Sequence, residues 1–364
     1  MLYLGIDQHA KQLTISLRNQ NSDVILRRQV STQPEKVTAF FEKLMDKAGD
    51  QGYAAIVEVC GFNDWLLKML PQYGCMQTVL IQPEKKPRIK TDKRDAHALS
   101  ELLWVNRDRF AKGLSVRGVR QVVVPSKFDV DNQRLTLLRR NASRSRTKSI
   151  NQIKYVLRRH NLQWQLPTKT FPSVSAIAWL KTLELSEMDR SEMDWHLQEL
   201  ERWTKQMATL EETIIKRAKG LEVIVLLMTI PGVSYFTALA LACRIGDPNR
   251  FAKGKSLSNY WGLTPTVSDS GDAKGRRGRI TKTGSSMARW LLAQVVLHVL
   301  RRDPVMKKWY KPIKARRGSG VARVAVMRRV ATIIRNMLVN GQTYDECRDA
   351  MIERRRNQIA KKVA

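Results

Sequence analysis

Between Leu2 and Leu103 the apolar residues change rhythm repeatedly, and this alternation restricts the fold more than any other feature of the chain. Residues 2–6 are a short apolar run, residues 13–17 alternate in the half-buried manner, and residues 24–28 make a third strand candidate. Helical spacing follows over 37–45. Then come a buried apolar strand over 54–59, a helix near 63–70, a strand over 78–82 and a helix over 92–103. Three strands followed by helix, strand, helix, strand, helix predict a mixed α/β layer.

The rest of the chain reads as all-α. Residues 105–130 are poorly patterned and carry Gly113, Gly118, Pro125 and many basic side chains, which sets a first domain at 1–110 and a basic linker at 111–130. Residues 131–220 read as long helices interrupted at 167–172. Within them Met193, Leu197, Leu200, Met207, Leu210 and Ile214 recur at threes and fours, which suits a helical hairpin or a coiled-coil partner face. Residues 221–345 predict a compact helical domain with Gly-rich loops, and 346–364 a basic helical tail.

Charge addresses the partner. Lys and Arg number 65 against 33 Asp and Glu, a formal charge of +32. Such a chain repels itself unless a polyanion neutralises it, and nucleic acid is the usual polyanion. Small-molecule metabolism is disfavoured. Cys60, Cys75, Cys243 and Cys347 form no CxxC pair, so neither a structural zinc site nor a disulfide framework is expected, and a reducing cytoplasm fits. No signal peptide is expected at MLYLGIDQHAK, where Asp7 interrupts the apolar run. The uncharged stretch 223–243 is broken by Pro231-Gly232, so two short buried helices joined by a turn are expected there and no membrane span.

Four carboxylates stand out in the first domain. Asp7 closes the first strand in GIDQHAK, Glu58 closes the strand AIVEV, and Asp92 and Asp95 begin a helix in KTDKRDAHAL. A spacing of three puts the last two on one helical face. Four converging acids would repel one another by several kcal/mol unless cations neutralised them. Mg²⁺ prefers such oxygen ligands, and two ions about 4 Å apart can clamp both oxygens of a phosphodiester exchange. Taken singly, each acid has a plainer reading: a turn residue for Asp7, a loop acid for Glu58, a helix cap for Asp92, and pairing with Lys90 or Lys93 for Asp95.

This order of elements and acids resembles the RuvC/RNase H-like nuclease fold. More narrowly, GIDQHAK, VEVCGFNDW and KTDKRDAHAL resemble the N-terminal domain of the DEDD transposases of bacterial insertion sequences, the bridge-RNA-guided serine recombinases. The resemblance maps the family's four acids to Asp7, Glu58, Asp92 and Asp95, as catalytic residues and Mg²⁺ ligands. One departure exists. The family's Glu is more often followed by Thr-Gly and then an aromatic at the next-but-one place, where this chain reads Glu58-Val59-Cys60-Gly61-Phe62.

The same family is recognisable past residue 229. TIPGVSYFTALALACRIGD carries a Pro-Gly turn between apolar helices that resembles a helix–hairpin–helix, and GLTP, SG, a basic Gly-rich stretch and ITK-G follow in family order. The resemblance places the nucleophilic serine at Ser270, ahead of Gly271. Ser268 is a neighbour without the glycine. Lys274, Arg276, Arg277, Arg279 and Lys282 follow within a dozen residues, and Arg289 lies in the next helix. Basic groups there can hold a scissile phosphate and stabilise its developing charge, and Gly271, Gly275 and Gly278 allow close backbone approach. The plainer reading of this segment is a solvated basic loop.

The clearest electrostatic footprint is Arg134, Arg139, Arg140, Arg144, Arg146, Lys148, Lys154, Arg158 and Arg159, nine cations over 132–160 with no acid among them. On a helix they fall all round, so phosphate-backbone binding is expected without one amphipathic face. Trp164, Trp179, Trp195 and Trp203 read as packing anchors, with base stacking as the alternative. His9 and His97 flank the acids without the partners a metal ligand needs, and neither His160 nor His298 carries a signal.

The resemblance implies a cytoplasmic bacterial enzyme, nucleoid-associated when active, that breaks and rejoins DNA through a covalent phosphoserine. Its implied partners are a structured guide (bridge) RNA and donor and target DNA. Residues 131–220 would serve dimerisation. The site would form between protomers of a homo-oligomer, a dimer that pairs into a tetramer. Two rivals remain open: a RuvC-like junction nuclease that hydrolyses with the acids alone, and a non-enzymatic RNA-binding protein in which the acids are structural.

Overall fold

The computed structural model describes residues 1–83, 92–270 and 273–363, in two units, Met1–Val124 and Pro125–Ala364. Among the described residues, the first unit carries a six-stranded sheet built from β1 (Leu2–Gln8), β2 (Gln12–Arg18), β3 (Val24–Ser31), β4 (Tyr53–Glu58), β5 (Cys75–Pro83) and β6 (Val119–Gln121). Their order is β3-β2-β1-β4-β5-β6. β1 pairs antiparallel with β2 and parallel with β4, β4 pairs parallel with β5, and β5 pairs antiparallel with β6.

Helices cover both faces. α1 (Pro34–Ala48) and α2 (Asp64–Gln72) bury Phe41, Leu44, Leu66 and Leu70 with Leu4, Ile6, Ala55 and Val57. α3 (Asp92–Val105) and α4 (Arg107–Ala111) bury Leu99, Leu103 and Phe110 with Tyr3, Ala54, Ile56 and Ile81 on the opposite face. Alternate strand residues thus feed alternate layers, as the two-residue period of a strand demands. The expected mixed α/β layer is present, and the segment read as a connection supplies β6.

The second unit begins with two long helices, α5 (Lys127–Arg159) and α7 (Glu187–Ala218), joined through the short α6 (Val174–Thr182). Ser126 and Ser186 cap their N-termini by accepting from Asp129 N and Asp189 N. The pairs Arg139–Glu211, Arg146–Thr204 and Arg159–Glu192 run in opposite numerical directions, so the helices are antiparallel. Ile153, Val156, Leu157, Leu180, Met193, Leu197 and Leu200 form their shared core.

A second core gathers α8 (Glu222–Met228), α9 (Tyr235–Ile245), α10 (Gly254–Tyr260), α11 (Ser286–Arg302), α12 (Pro304–Asn340, broken at Gly318) and α13 (Tyr344–Val363). Gln133 Nε2 donates to Cys243 O at 2.7 Å, and Arg244 donates to Thr136 Oγ1 at 3.0 Å, fastening α9 to α5. The stretch 223–243 is two short helices around a turn, as its Pro-Gly predicts, and no described helix is long and apolar enough to cross a membrane. One element departs from the helical expectation. The Gly-rich basic stretch forms a hairpin of β7 (Pro265–Ser270) and β8 (Ala273–Ile280).

Candidate active site

Asp7 and Glu58 are neighbours by register. β1 and β4 are parallel, Ile6 pairs with Val57, and each acid is the next residue of its strand. Both strands end there, at the carboxyl edge where open α/β sheets place their ligands. Strand alternation puts Asp7 on the side of Tyr3 and Gly5, and Glu58 on the side of Ala54 and Ile56, so both acids belong to the face that α3 covers.

α3 lies directly on β1. A Cβ at Gly5 would stand 2.4 Å from Ala96 O and 2.5 Å from Ser100 N, so only glycine admits the helix this close. The helix runs antiparallel to β1. Ser100 Oγ lies 2.9 Å from Ser16 Oγ, and Trp104 Nε1 donates to Gln20 O at 3.0 Å, toward the start of β1. The first turn of α3, with Asp92 and Asp95, therefore lies toward the strand ends that carry Asp7 and Glu58. Asp95 precedes Leu99 by one helical turn and so extends the stripe Ala96, Leu99, Leu103 that packs on the sheet. For Asp92 the backbone position is described and the side chain lies outside the described residues, as does Lys90, the candidate partner of Asp95.

The loop after Glu58 is held from within. Asn63 is buried; its Nδ2 donates to Gln8 Oε1 at 2.8 Å and to Glu58 O at 3.2 Å, and its Oδ1 accepts from Cys60 N. Gln8 Nε2 donates to Phe62 O at 3.1 Å. This network ties the residue after Asp7 to the residues around Glu58 and keeps the variant VEVCGFNDW loop in place. His9 Nε2 lies 3.1 Å from Asp7 Oδ2, an ion pair when the ring is protonated. In the sequence the signal for this contact is the place of His9 two residues beyond the acid.

The donor chemistry of these residues is that of a hydrated cation site, although among the described residues no three His, Cys, Asp or Glu side chains are gathered closely enough to hold a metal ion. Thr14, the cross-strand neighbour of Asp7, is buried, and its Oγ1 has no hydrogen-bond partner among the described residues. A polar ligand beside Asp7 would supply one. The oxygen-only set of Asp7, Glu58, Asp92 and Asp95 suits Mg²⁺. Further along α3, His97 lies 3.2 Å from Arg18 and 3.1 Å from Arg27. Burial, then these two guanidiniums, push its pKa down.

Ser270 ends β7 and pairs in register with Ala273; Ser268 pairs with Arg276 and Val267 with Arg277. The side chains of Ser268, Ser270, Lys274, Arg276 and Arg277, and Gly271 entirely, lie outside the described residues. The base of the hairpin is closely packed. A Cβ at Gly262 would stand 2.1 Å from Thr283 O, and one at Gly284 2.0 Å from Tyr260 O, so the GLTP and ITK-G turns lie against each other through their glycines. Lys282 N donates to Gly262 O at 3.1 Å and Thr281 N to Thr264 O at 2.9 Å. Arg289 donates to Trp261 O and Thr283 O, each at 3.0 Å, so its guanidinium holds this base together. Burial pushes the Cys75 thiol up and the Cys243 thiol up to about 11, so neither is a ready nucleophile.

The cations of α5 separate by partner. Arg139 meets Glu211 at 2.8 Å, Arg146 Nε donates to Thr204 Oγ1 at 3.0 Å, and Arg159 faces Asp189 and Glu192. Lys154 lies over Phe171. Arg140, Arg144 and Lys148 line an open cleft instead, while Arg134 and Arg158 are exposed. Of the tryptophans, Trp179 packs on the α5–α7 core, Trp203 donates to Glu199 at 2.7 Å, and Trp164 and Trp195 are exposed.

Known proteins resemble the chain over much of its length. Residues 225–311, from α8 through the hairpin and α11, match the Transposase IS116/IS110/IS902 family. The chain is 29% identical to the transposase for insertion sequence element IS1111A of Coxiella burnetii, over 79% of this chain and 78% of that one. It is 24% identical to a probable family 20 transposase of Pseudomonas aeruginosa, over 94% and 98% of the two chains. A transposase for element IS1533 of Leptospira borgpetersenii is 24% identical over 71% and 74%. The chain is thus similar to insertion-sequence transposases over most of its length, and to the IS116/IS110/IS902 family over residues 225–311.

Proposed function

We propose that the chain breaks and rejoins DNA as a serine recombinase, with Ser270 as nucleophile, the Asp7, Glu58, Asp92 and Asp95 set as the Mg²⁺ site of a RuvC-like domain, and a structured RNA as guide. The observation that carries the reading is the placement of Asp7 and Glu58 on adjacent parallel strand ends, with the first turn of α3 toward that edge. The strand order β3-β2-β1-β4-β5 and the hydrogen-bonded footing of the serine hairpin support it.

The Ser270 hydroxyl gives up its proton and its oxygen bonds phosphorus, while the released sugar oxygen takes a proton. Rejoining reverses these events, so the phosphoester is conserved. Arg279 on the same hairpin and Lys282 just past its end supply positive charge for the phosphate oxygens. Bound Mg²⁺ would add charge neutralisation for a phosphodiester beside the acids. Gln8 and Asn63 fix the strand ends, and His9 competes with any cation for Asp7. RNA guidance is supported by the excess of positive charge and by the family resemblance, with base pairing reading sequence and the protein reading backbone and shape, by analogy with other guided systems.

The test is covalent trapping. Purified protein, element DNA, flanking non-coding RNA and Mg²⁺ are combined and resolved on denaturing gels, with Ser270→Ala and Asp92→Ala alongside. A protein–DNA adduct that disappears with Ser270→Ala establishes the nucleophile. Cleavage without adduct, indifferent to Ser270→Ala and abolished by Asp92→Ala, would replace this reading with a hydrolytic junction nuclease. A guide role requires that omitting the RNA abolish the adduct.

A further inference from the structure

A cleft of about 700 Å³ opens between α5 and α11, lined by Arg140, Ser143, Arg144, Thr147, Lys148, Asn151, Gln152 and Trp290. The α5 residues fall on two adjacent ridges, Arg140–Arg144–Lys148 and Ser143–Thr147–Asn151, each stepping by four and so lying along one side of the helix. The lining holds three cations, four uncharged hydrogen-bonding side chains, one aromatic ring and no carboxylate. That composition differs from the contacts α5 makes with α7, where Glu211, Asp189 and Glu192 neutralise Arg139 and Arg159. Neither Arg144 nor Lys148 has a carboxylate within salt-bridge distance among the described residues.

Trp290 distinguishes this cleft from a plain phosphate track. The Arg140 guanidinium lies over its ring, 4.9 Å from the centroid, and Phe236 meets it edge-on at 6.4 Å. Phe236 thus props the indole and Arg140 covers it. A guanidinium on an aromatic ring is a flat, cationic pile of the kind on which unpaired bases stack. A paired base inside a duplex has no free face to offer. A duplex would use the cations alone.

We infer that this cleft is a binding site for an unpaired nucleotide segment, one base stacking on the Arg140–Trp290 pile and the flanking phosphates on Arg144 and Lys148. Asn151 and Gln152 present amide donors and acceptors to the base edge or the sugar. The inference rests on the proposed function only in taking nucleic acid as the partner. The shared chemistry is single-stranded phosphodiester with exposed bases, from RNA or from DNA.

The experiment measures affinity of the full-length chain for labelled 12-nucleotide single strands of RNA and DNA and for the DNA duplex of the same sequence, across a salt series. Trp290→Leu should weaken both or one of the single strands about tenfold and leave the duplex unchanged, because stacking is lost only where bases are free. Trp290→Phe should retain most of the binding. Arg144→Gln with Lys148→Gln, both exposed and expected to fold normally, should lower the single-strand salt slope by about 1.4. A 4-thiouridine or 4-thiothymidine oligonucleotide should crosslink to the α11 peptide that contains Trp290. The strand type that crosslinks and responds to Trp290→Leu identifies the source. Binding that ignores both the Trp290 and the Arg144/Lys148 changes, with crosslinks elsewhere, overturns the cleft and leaves the proposed function standing. A chain that binds no nucleic acid overturns both.

Discussion

Asp7 and Glu58 stand side by side at the ends of two parallel strands, each the residue after the paired Ile6 and Val57. Two carboxylates so placed are held together by backbone pairing, whatever their mutual repulsion. A divalent cation bound there should therefore stabilise the fold. At a hundred times its dissociation constant, Mg²⁺ should add about 2.7 kcal/mol of stability, read as a rise in Tm. Asp7→Asn or Glu58→Gln should remove most of that rise. An undiminished Mg²⁺ response in both variants would locate the ion elsewhere.

The close approach at Gly5 makes a sharper mechanical prediction. Gly5→Ala sets a methyl 2.4 Å from Ala96 O, and a helix backbone cannot yield as a side-chain tip can. The overpacking should cost about 1–3 kcal/mol and shift α3, with its acids, away from β1. Thermal unfolding should report the cost, and adduct formation should fall by more than the lost stability accounts for. An active, fully stable Gly5→Ala protein would contradict the docking of α3.

Asn63 should be the position in the Glu58 loop where a small change matters most. Asn63→Ala leaves Gln8 Oε1, Glu58 O and Cys60 N short of a partner, three groups in a largely buried setting. The expected cost is about 1–3 kcal/mol by denaturant titration. Asn63→Asp should rescue only the Cys60 contact, because a carboxylate accepts but does not donate.

His97 sets an acid limit on the first unit. Its pKa is lowered in the fold by burial and by Arg27 and Arg18, with Glu101 opposing. A neutral ring has one acceptor nitrogen and can satisfy one guanidinium at a time; a protonated ring satisfies neither. The folded state thus takes up its proton at lower pH than the unfolded chain. Stability is full above the ordinary histidine range and is lost as pH falls from there through the folded value. His97→Gln should flatten that slope in pH-dependent unfolding. An unchanged slope would assign the acid sensitivity to other groups.

The first unit was legible because its strands and helices differ in apolar period over well-bounded runs. The docking of α3 on β1 was not legible, since Gly5 in LYLGIDQ looks like any strand glycine until a helix lies on it. The hairpin at Pro265–Ser270 and Ala273–Ile280 was hidden for a different reason. Its glycines and cations read as loop, and its footing comes from contacts between Gly262 and Thr283 and between Gly284 and Tyr260. The cations of α5 read as all-round charge because the acids that sort them lie on α7, as far as 72 residues away between Arg139 and Glu211. Trp290 drew no notice in the sequence, because its significance comes from Arg140 above it.

That sorting predicts unequal effects from outwardly equal substitutions. Arg139→Gln and Arg159→Gln should leave the salt slope of nucleic-acid binding unchanged and barely move the unfolding midpoint, since partly exposed ion pairs contribute little. Arg144→Gln should do the reverse, lowering the slope by about 0.7 with no effect on unfolding. Equal slopes for all three would restore the view of α5 as a uniformly charged rod.

The C-terminal helix depends on one buried carboxylate. Asp303 is 2% exposed; its Oδ1 caps α12 by accepting from Met306 N at 2.9 Å, and its Oδ2 accepts from Tyr344 Oη at 2.7 Å. Arg348 stands 3.6 Å from the same oxygen and also meets Asp345 and Asp349. Burial, then the Asp303 contact, push the Tyr344 hydroxyl well above the ordinary tyrosine range, so the phenol stays protonated and donates. Asp303→Ala removes the cap and leaves a buried phenol without its acceptor. The expected loss is about 3 kcal/mol, at the low end for a broken buried pair because Arg348 keeps its outer carboxylates. Tyr344→Phe removes only the hydroxyl and spares the cap, so it should cost about 1 kcal/mol. Hydrogen exchange should show α13 opening in both variants and the start of α12 fraying only in Asp303→Ala. Equal protection of α12 in the two would mean that Asp303 acts through Tyr344 alone.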